Sequence, residues 1–144
     1  MTKAILDTDI LSEVMRAKNS HVARNAAEYL REHSRYSLSV MTVAEMVMGW
    51  HKIRDKSRTS VLSTFFERHD VIPVGVEEAT LAGKIIGDLE RLGMPIGTMD
   101  PFIAATAIVR ELPLATGNTK HFNRIIELGY PLEIQNWREA LPNG

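Results

Sequence analysis

The chain is predicted to fold as an α/β protein, with a parallel central sheet and helices on both faces, in a single domain covering residues 1–144. Three observations lead there. Short apolar runs alternate with longer segments of helical periodicity along the chain. Such alternation is the mark of β-α-β crossovers, whose right-handed connections place helices over a parallel sheet. The 144 residues contain no internal repeat, low-complexity tract or linker-like stretch, so one domain accounts for them.

Along the chain, residues 3–7 read as a short buried strand, and 10–16 with 21–32 as a helical hairpin. Residues 36–40 form the second predicted strand. The next helix, 42–54, carries Val43, Met46, Val47 and Trp50 at helical spacing on one face. A helix over 57–69 is joined tightly to it, and 71–74 is a short apolar strand. A long helix over 77–92 is stopped by Gly93 and Pro95. Residues 101–110 form a helix, 114–116 a strand, and Gly117-Asn118 a loop. Residues 132–134 are the last predicted strand and 137–141 a last turn of helix.

Composition narrows the function classes. Hydrophobic residues make up 44% and charged residues 24%, ordinary for a globular domain. Cysteine is absent, which excludes a disulfide framework, a thiolate metal site and a cysteine nucleophile. The N-terminus runs into a strand without a signal-peptide core, and no apolar run approaches the ~18 residues of a membrane span. A cytoplasmic location is expected. With 17 Lys+Arg against 18 Asp+Glu the net charge is −1, so contact with phosphates has to come from local clusters. Two candidates are Lys52, Arg54, Lys56 and Arg58, interrupted by Asp55, and Lys120 with His121 and Arg124. A solvated helix face is the competing reading of both.

Three carboxylates stand where this class of fold puts chemistry. Asp7 closes the first strand in Ala-Ile-Leu-Asp-Thr-Asp (4–9), Glu45 falls in Thr-Val-Ala-Glu (42–45), and Asp100 precedes Pro101-Phe102-Ile103. Ligand sites of open α/β sheets lie beyond the carboxyl ends of the strands, and helix N-termini face the same way. Acids gathered there repel unless a cation lies between them, so the pattern points to an oxygen-ligand metal site. Each acid also has a purely structural reading. Asp7 suits the turn after a strand. Asp9 suits a cap for a helix starting at Ile10. Thr42 with Glu45 reads as a capping box, and Asp100 before Pro101 as an N-cap. The Thr116-Gly117-Asn118-Thr119 segment supplies a hydroxyl and an amide that could orient water or phosphate, or simply a turn in which Asn118 or Thr119 caps the next element. His121 stands beside it. The methionines, Trp50, Phe65 and Phe66 read chiefly as core packing.

Taken together, these stretches resemble the PIN-domain ribonuclease toxins of the VapC type. The resemblance runs from residues 6–12, Leu-Asp-Thr-Asp-Ile-Leu-Ser, through 42–49 and 95–105, to Leu-Ala-Thr-Gly-Asn-Thr-Lys-His-Phe (114–122) and Trp137. It implies a PIN-like three-layer sandwich. It also implies an endoribonuclease that uses Mg²⁺ or Mn²⁺ to activate water and hydrolyse RNA phosphodiester bonds, leaving a 5′-phosphate and a 3′-hydroxyl. Asp7, Glu45 and Asp100 are then the metal-holding acids, with Thr116 and Asn118 in the catalytic loop and Asp9, Lys120 and His121 as accessory groups. Many such proteins carry a fourth acid where this chain has His121, so a second metal is less well provided for here. The resemblance further implies a homodimer, neutralised by a small VapB-like antitoxin that blocks the site.

Two other readings share these residues. A receiver-like phospho-acceptor would also use an acidic pocket, a threonine (Thr116) and a lysine (Lys120) on a doubly wound sheet. A catalytically silent PIN-like binding domain would keep the fold without the chemistry.

Overall fold

A computed structural model of the chain describes residues 1–54 and 56–142. Asp55, the side chain of Lys56 and residues 143–144 lie outside the described residues, and with them the middle of the basic run 52–58. The strands are β1 (Ile5–Leu6), β2 (Ser37–Ser39), β3 (Asp70–Ile72), β4 (Leu114–Ala115) and β5 (Ile134–Gln135). The helices are α1 (Thr8–Arg16), α2 (Ser20–His33), α3 (Val40–Lys52), α4 (Lys56–Glu67), α5 (Val76–Arg91), α6 (Met99–Val109) and α7 (Thr119–Glu127).

All strand pairs are parallel, in the order β3-β2-β1-β4-β5. The chain steps outward from β1 to β3 and then returns across the sheet to β4, on the other side of β1. With every crossover right-handed, that reversal moves the connecting helices to the opposite face. Two hydrophobic cores result. Leu6, Leu38 and Ala115 turn one way, onto Ile10, Leu11, Val22, Tyr29, Met46 and Leu62 of α1–α4. Ile5 and Leu114 turn the other way, onto Ile85, Leu89, Ile103, Phe122 and Ile125 of α5–α7. The period-two alternation of strands thus feeds both layers, in keeping with a three-layer sandwich. The order also differs from the 2-1-3-4-5 of receiver folds, which removes the structural basis for the phospho-acceptor reading.

Several local expectations are corrected. Helix α3 starts at Val40, because Ser39 at the end of β2 is its N-cap and accepts from Met41 N at 3.1 Å. Thr42 and Glu45 therefore lie inside the helix and form no capping box. Val47 is 39% exposed, so the buried face of α3 is narrower than its apolar pattern suggests. Helix α7 is an addition to the expected elements. Phe122 and Ile125, three residues apart, bury one side of it. The last strand begins two residues later than expected and ends one later, at Ile134–Gln135.

Residues 137–141 form no helix. They make a turn, closed by Glu139 N donating to Asn136 O at 3.2 Å. What holds this tail is side-chain burial. Trp137 is fully buried against Tyr29, with ring centroids 5.5 Å apart. Buried Asn25 of α2 donates to the carbonyls of Trp137 and Glu139 at 3.1 and 3.2 Å. Asn25→Ala should leave those carbonyls short of donors and lower stability by about 1–3 kcal/mol, read by urea denaturation. A change below about 0.5 kcal/mol would mean that the tail is held by Trp137 alone.

Candidate active site

Strand order reverses between β1 and β4, and the carboxyl ends of those two strands are where such a sheet leaves a crevice. A cleft of about 370 Å³ opens there, lined by Asp7, Thr8, Asp9, Ser12, Arg16, Glu45, Asp100, Asn118 and Arg138. The three acids singled out in the sequence thus meet in one cleft, and Asp9 joins them.

Asp7 is the first residue after β1 and the N-cap of α1. Its Oδ1 accepts from Thr8 N at 2.8 Å, and its Oδ2 accepts from the Thr116 hydroxyl at 2.8 Å. It is 3% exposed. Burial pushes its pKa well above the ordinary carboxylate range, and the charges of Asp9 and Asp100 push the same way against the Thr116 hydrogen bond. The capping role expected of Asp9 therefore belongs to Asp7. Asp9 lies in the first turn of α1 and reaches across the crevice, accepting from Gly117 N at 3.0 Å and pairing with Arg138 at 3.2 Å.

Glu45 comes from the second turn of α3. Thr8 donates its hydroxyl proton to Glu45 Oε1 at 2.8 Å, and the same hydroxyl stands 3.1 Å from Thr42 Oγ1. Half-burial raises the Glu45 pKa; the Thr8 bond opposes this and the charges of Asp100 and Asp9 add to it. Asp100 is the second residue of α6 rather than its N-cap, a position held by Thr98. Its Oδ2 lies 3.4 Å from Asn118 Nδ2 and 3.1 Å from His121 Nδ1. Burial raises its pKa, with Asp9 adding to the rise and His121 working against it.

The loop after β4 divides its roles. Thr116 is fully buried and its proton goes to Asp7, so it positions that acid instead of facing the cleft. Asn118 occupies the N-cap position of α7 without a side-chain capping bond; its amide turns to Asp100 and His121 instead. Lys120 is exposed and lies outside the cleft lining, as do Lys52, Arg54, Arg58 and Arg124. The cations that do line it are Arg16 and Arg138, which stand in neither basic cluster of the sequence. Arg16 follows Ser12 by one helical turn, a spacing open to view in the sequence. Arg138 carries no such signal.

The donor set suits a hard divalent cation: carboxylate oxygens, no sulfur, and three acids whose ionisation is disfavoured in the bare cleft. Among the described residues no three acidic or histidine side chains already close around one point.

An α/β sheet with carboxylates pooled at its switch point and arginines at the rim defines an acid-cleft nuclease centre. Comparison with known proteins agrees. The PIN-domain family model matches residues 4–128. The chain is 33% identical over 128 residues to a ribonuclease VapC of Rickettsia bellii, across 86% of this chain and 91% of that protein. It is 31% identical to the tRNA(fMet)-specific endonuclease VapC of Shigella flexneri, across 87% of this chain and 93% of the other. Among solved structures, the DNA-bound VapBC of Salmonella typhimurium matches with a TM-score of 0.77 at 28% identity, covering 95% of this chain and 99% of that one. The chain belongs to the PIN-domain family, in its VapC ribonuclease branch. Nucleases of this family are in general dependent on divalent metal.

Raised carboxyl pKa values mean that the metal-free folded state holds more protons than the unfolded chain at pH values above about 4. Its stability should then fall as pH rises through that window. Asp100→Asn removes one buried charge and its repulsion. In EDTA near pH 7 it should melt about 2–4 °C above the parent, for roughly 1 kcal/mol relieved, with a shallower dependence on pH. Added Mg²⁺ should raise the melting temperature of the parent and barely move the variant. A variant less stable than the parent in EDTA would show that Asp100 is structural and carries no strain.

Proposed function

We propose that the chain is a Mg²⁺- or Mn²⁺-dependent endoribonuclease, the toxin of a toxin–antitoxin pair, with Asp7, Glu45 and Asp100 as its metal-holding acids. One observation carries this: acids from the end of β1, from α3 and from α6, distant in sequence, line one cleft at the switch point of the sheet. Family membership supports RNA as the substrate. The match to a VapBC complex supports a small VapB-like antitoxin as the partner.

A bound divalent ion supplies Lewis acidity toward the phosphodiester and lowers the pKa of the attacking water. The chain's own residues set the stage. Thr116 and Thr8 N fix both oxygens of Asp7, and the Thr8 side chain fixes Glu45, so two acids are aimed through one short segment. Asn118 and His121 fix Asp100. Holding the acids in this way keeps them from splaying apart before a cation arrives. His121, at the place of a fourth acid, serves Asp100 as a neighbour and offers an imidazole where Mg²⁺ favours oxygen. Among the described residues no helix is long and apolar enough to cross a membrane.

Expression without the antitoxin should arrest growth, and Asp7→Asn, Glu45→Gln or Asp100→Asn should each restore it and lower RNA cleavage by more than about 100-fold. Cleavage should require Mg²⁺ or Mn²⁺. Full activity after exhaustive chelation would overturn the metal-dependent reading, and parent-like cleavage by any one variant would remove that acid from the site.

His121→Ala should lower activity by about 10–100-fold, less than Asp100→Asn, because it removes a support and leaves the acid in place. A loss as deep as that of Asp100→Asn would make His121 a primary group of the site.

A further inference from the structure

We propose that Arg138, carried by the C-terminal turn, positions substrate by holding an RNA phosphate next to the one that is cleaved. This rests on the ribonuclease reading above and adds a residue to it.

The guanidinium is anchored along one edge. Its Nε donates to Glu13 Oε1 at 2.5 Å, and its Nη2 pairs with Glu13 at 2.5 Å and with Asp9 Oδ2 at 3.2 Å. The two Nη1 protons make no hydrogen bond to another described residue. With Nε and Nη2 both engaged, Nη1 is the nitrogen left to donate, and the anchored edge fixes its direction. A charge-assisted hydrogen bond from Nη1 to a phosphate oxygen is the contact this leaves open.

Nη1 lies in the right place. Arg138 lines the acid cleft and its side chain is 40% exposed. Its guanidinium lies against Gly117, the residue between Thr116 and Asn118. A Cβ at Gly117 would collide with the guanidinium carbon and Nη1, so the glycine is what lets the guanidinium settle on the site loop. Gly117 N is itself bonded to Asp9, so loop, acid and arginine form one unit. Arg16 lines the cleft from α1, giving the strand a second cation on the same rim.

The tail is built to hold this position. Trp137 is fully buried and Asn25 grips the carbonyls on both sides of Arg138. Pinning Glu13 alone would not require a place in the cleft, which a phosphate-binding group does.

The test compares Arg138→Met, Arg138→Lys and Glu13→Gln in the full chain. Binding of a short single-stranded RNA is followed by fluorescence anisotropy in EDTA over a salt series, and cleavage kinetics are measured in Mg²⁺. Arg138→Met should weaken binding about tenfold, raise KM by a similar factor with a smaller change in kcat, and reduce the salt slope by about 0.7, the value for one lost phosphate contact on a single strand. Arg138→Lys should fall between, since lysine keeps the charge without the planar group that Glu13 and Asp9 hold in one direction. Glu13→Gln removes one of the two anchoring carboxylates yet leaves the arginine's charge and its contact with Asp9 in place, so RNA binding should weaken by less than in Arg138→Met and the salt slope should stay near the parent's. If Glu13→Gln loses as much as Arg138→Met, or if Arg138→Met keeps the parent's affinity and slope, Arg138 is a tail anchor and the inference falls. A parent that neither binds nor cuts RNA overturns the ribonuclease reading itself. A parent that cuts while Arg138→Met cuts with an unchanged KM overturns this inference alone.

Discussion

Four carboxylates crowded at the edge where β1 and β4 diverge set the terms for the rest of this molecule. Asp7 is nearly buried, and burial together with its acidic neighbours makes its ionisation unfavourable. Much of the surrounding detail serves to keep that charge in place. The Thr116 hydroxyl and Thr8 N hold its two oxygens, and the N-terminus of α1 adds its dipole. Thr8 links the first acid to Glu45, and Asn118 with His121 confines the third. The two hydrophobic cores on either side of the sheet offset the strain, because burial of apolar surface is the largest favourable term in folding.

The topology explains why these acids meet without lying near one another in the chain. Only a strand order that reverses at β1 puts the residue after β1 beside the loop after β4, with the first turns of α1 and α6 facing the same crevice. Right-handed crossovers then divide the helices between two layers, so each layer brings acids from its own side: Glu45 on α3 and Asp100 on α6. The site is therefore a property of the whole sheet.

That geometry also decides how far the chain can be read without it. The strand ending at Asp7 and the Gly117-Asn118 loop are legible because short apolar runs capped by small polar residues have few other uses. The three acids are legible as candidates, although their local positions are not. Thr42 and Glu45 have capping-box spacing, but Ser39 lies three residues earlier at the end of β2 and takes the cap, so the helix begins sooner. Asp9 reads as a cap because it precedes an apolar residue. Asp7 takes the N-cap position, while Asp9 keeps a bond from Ile10 N through Oδ1 and reaches Gly117 and Arg138 through Oδ2. Helix α7 escapes notice because its buried side rests on two residues, Phe122 and Ile125, amid polar neighbours. The basic clusters mislead more seriously. Runs of Lys and Arg stand out in a sequence, yet exposed Lys52, Arg54 and Lys120 stay outside the cleft, whereas two isolated arginines enter it. Arg138 owes its place to Trp137 and Asn25, a contact across 112 residues that no local pattern announces.

A net charge of −1 hides this arrangement of opposites. The floor of the cleft is acidic and would repel an RNA phosphate, while its rim carries Arg16 and Arg138. Over the few ångströms that separate floor and rim, screening by salt is weak, since the Debye length is about 8 Å at physiological ionic strength. On the proposed reading, a strand approaching the bare site would be drawn to the rim and turned away from the floor, and a divalent cation among the carboxylates would cancel the second effect without weakening the first. Metal loading and RNA binding would then be coupled by simple electrostatics, with no movement of the fold, and the coupling would be reciprocal: phosphate oxygens brought in by the arginines would add negative charge near the cation and hold it more firmly.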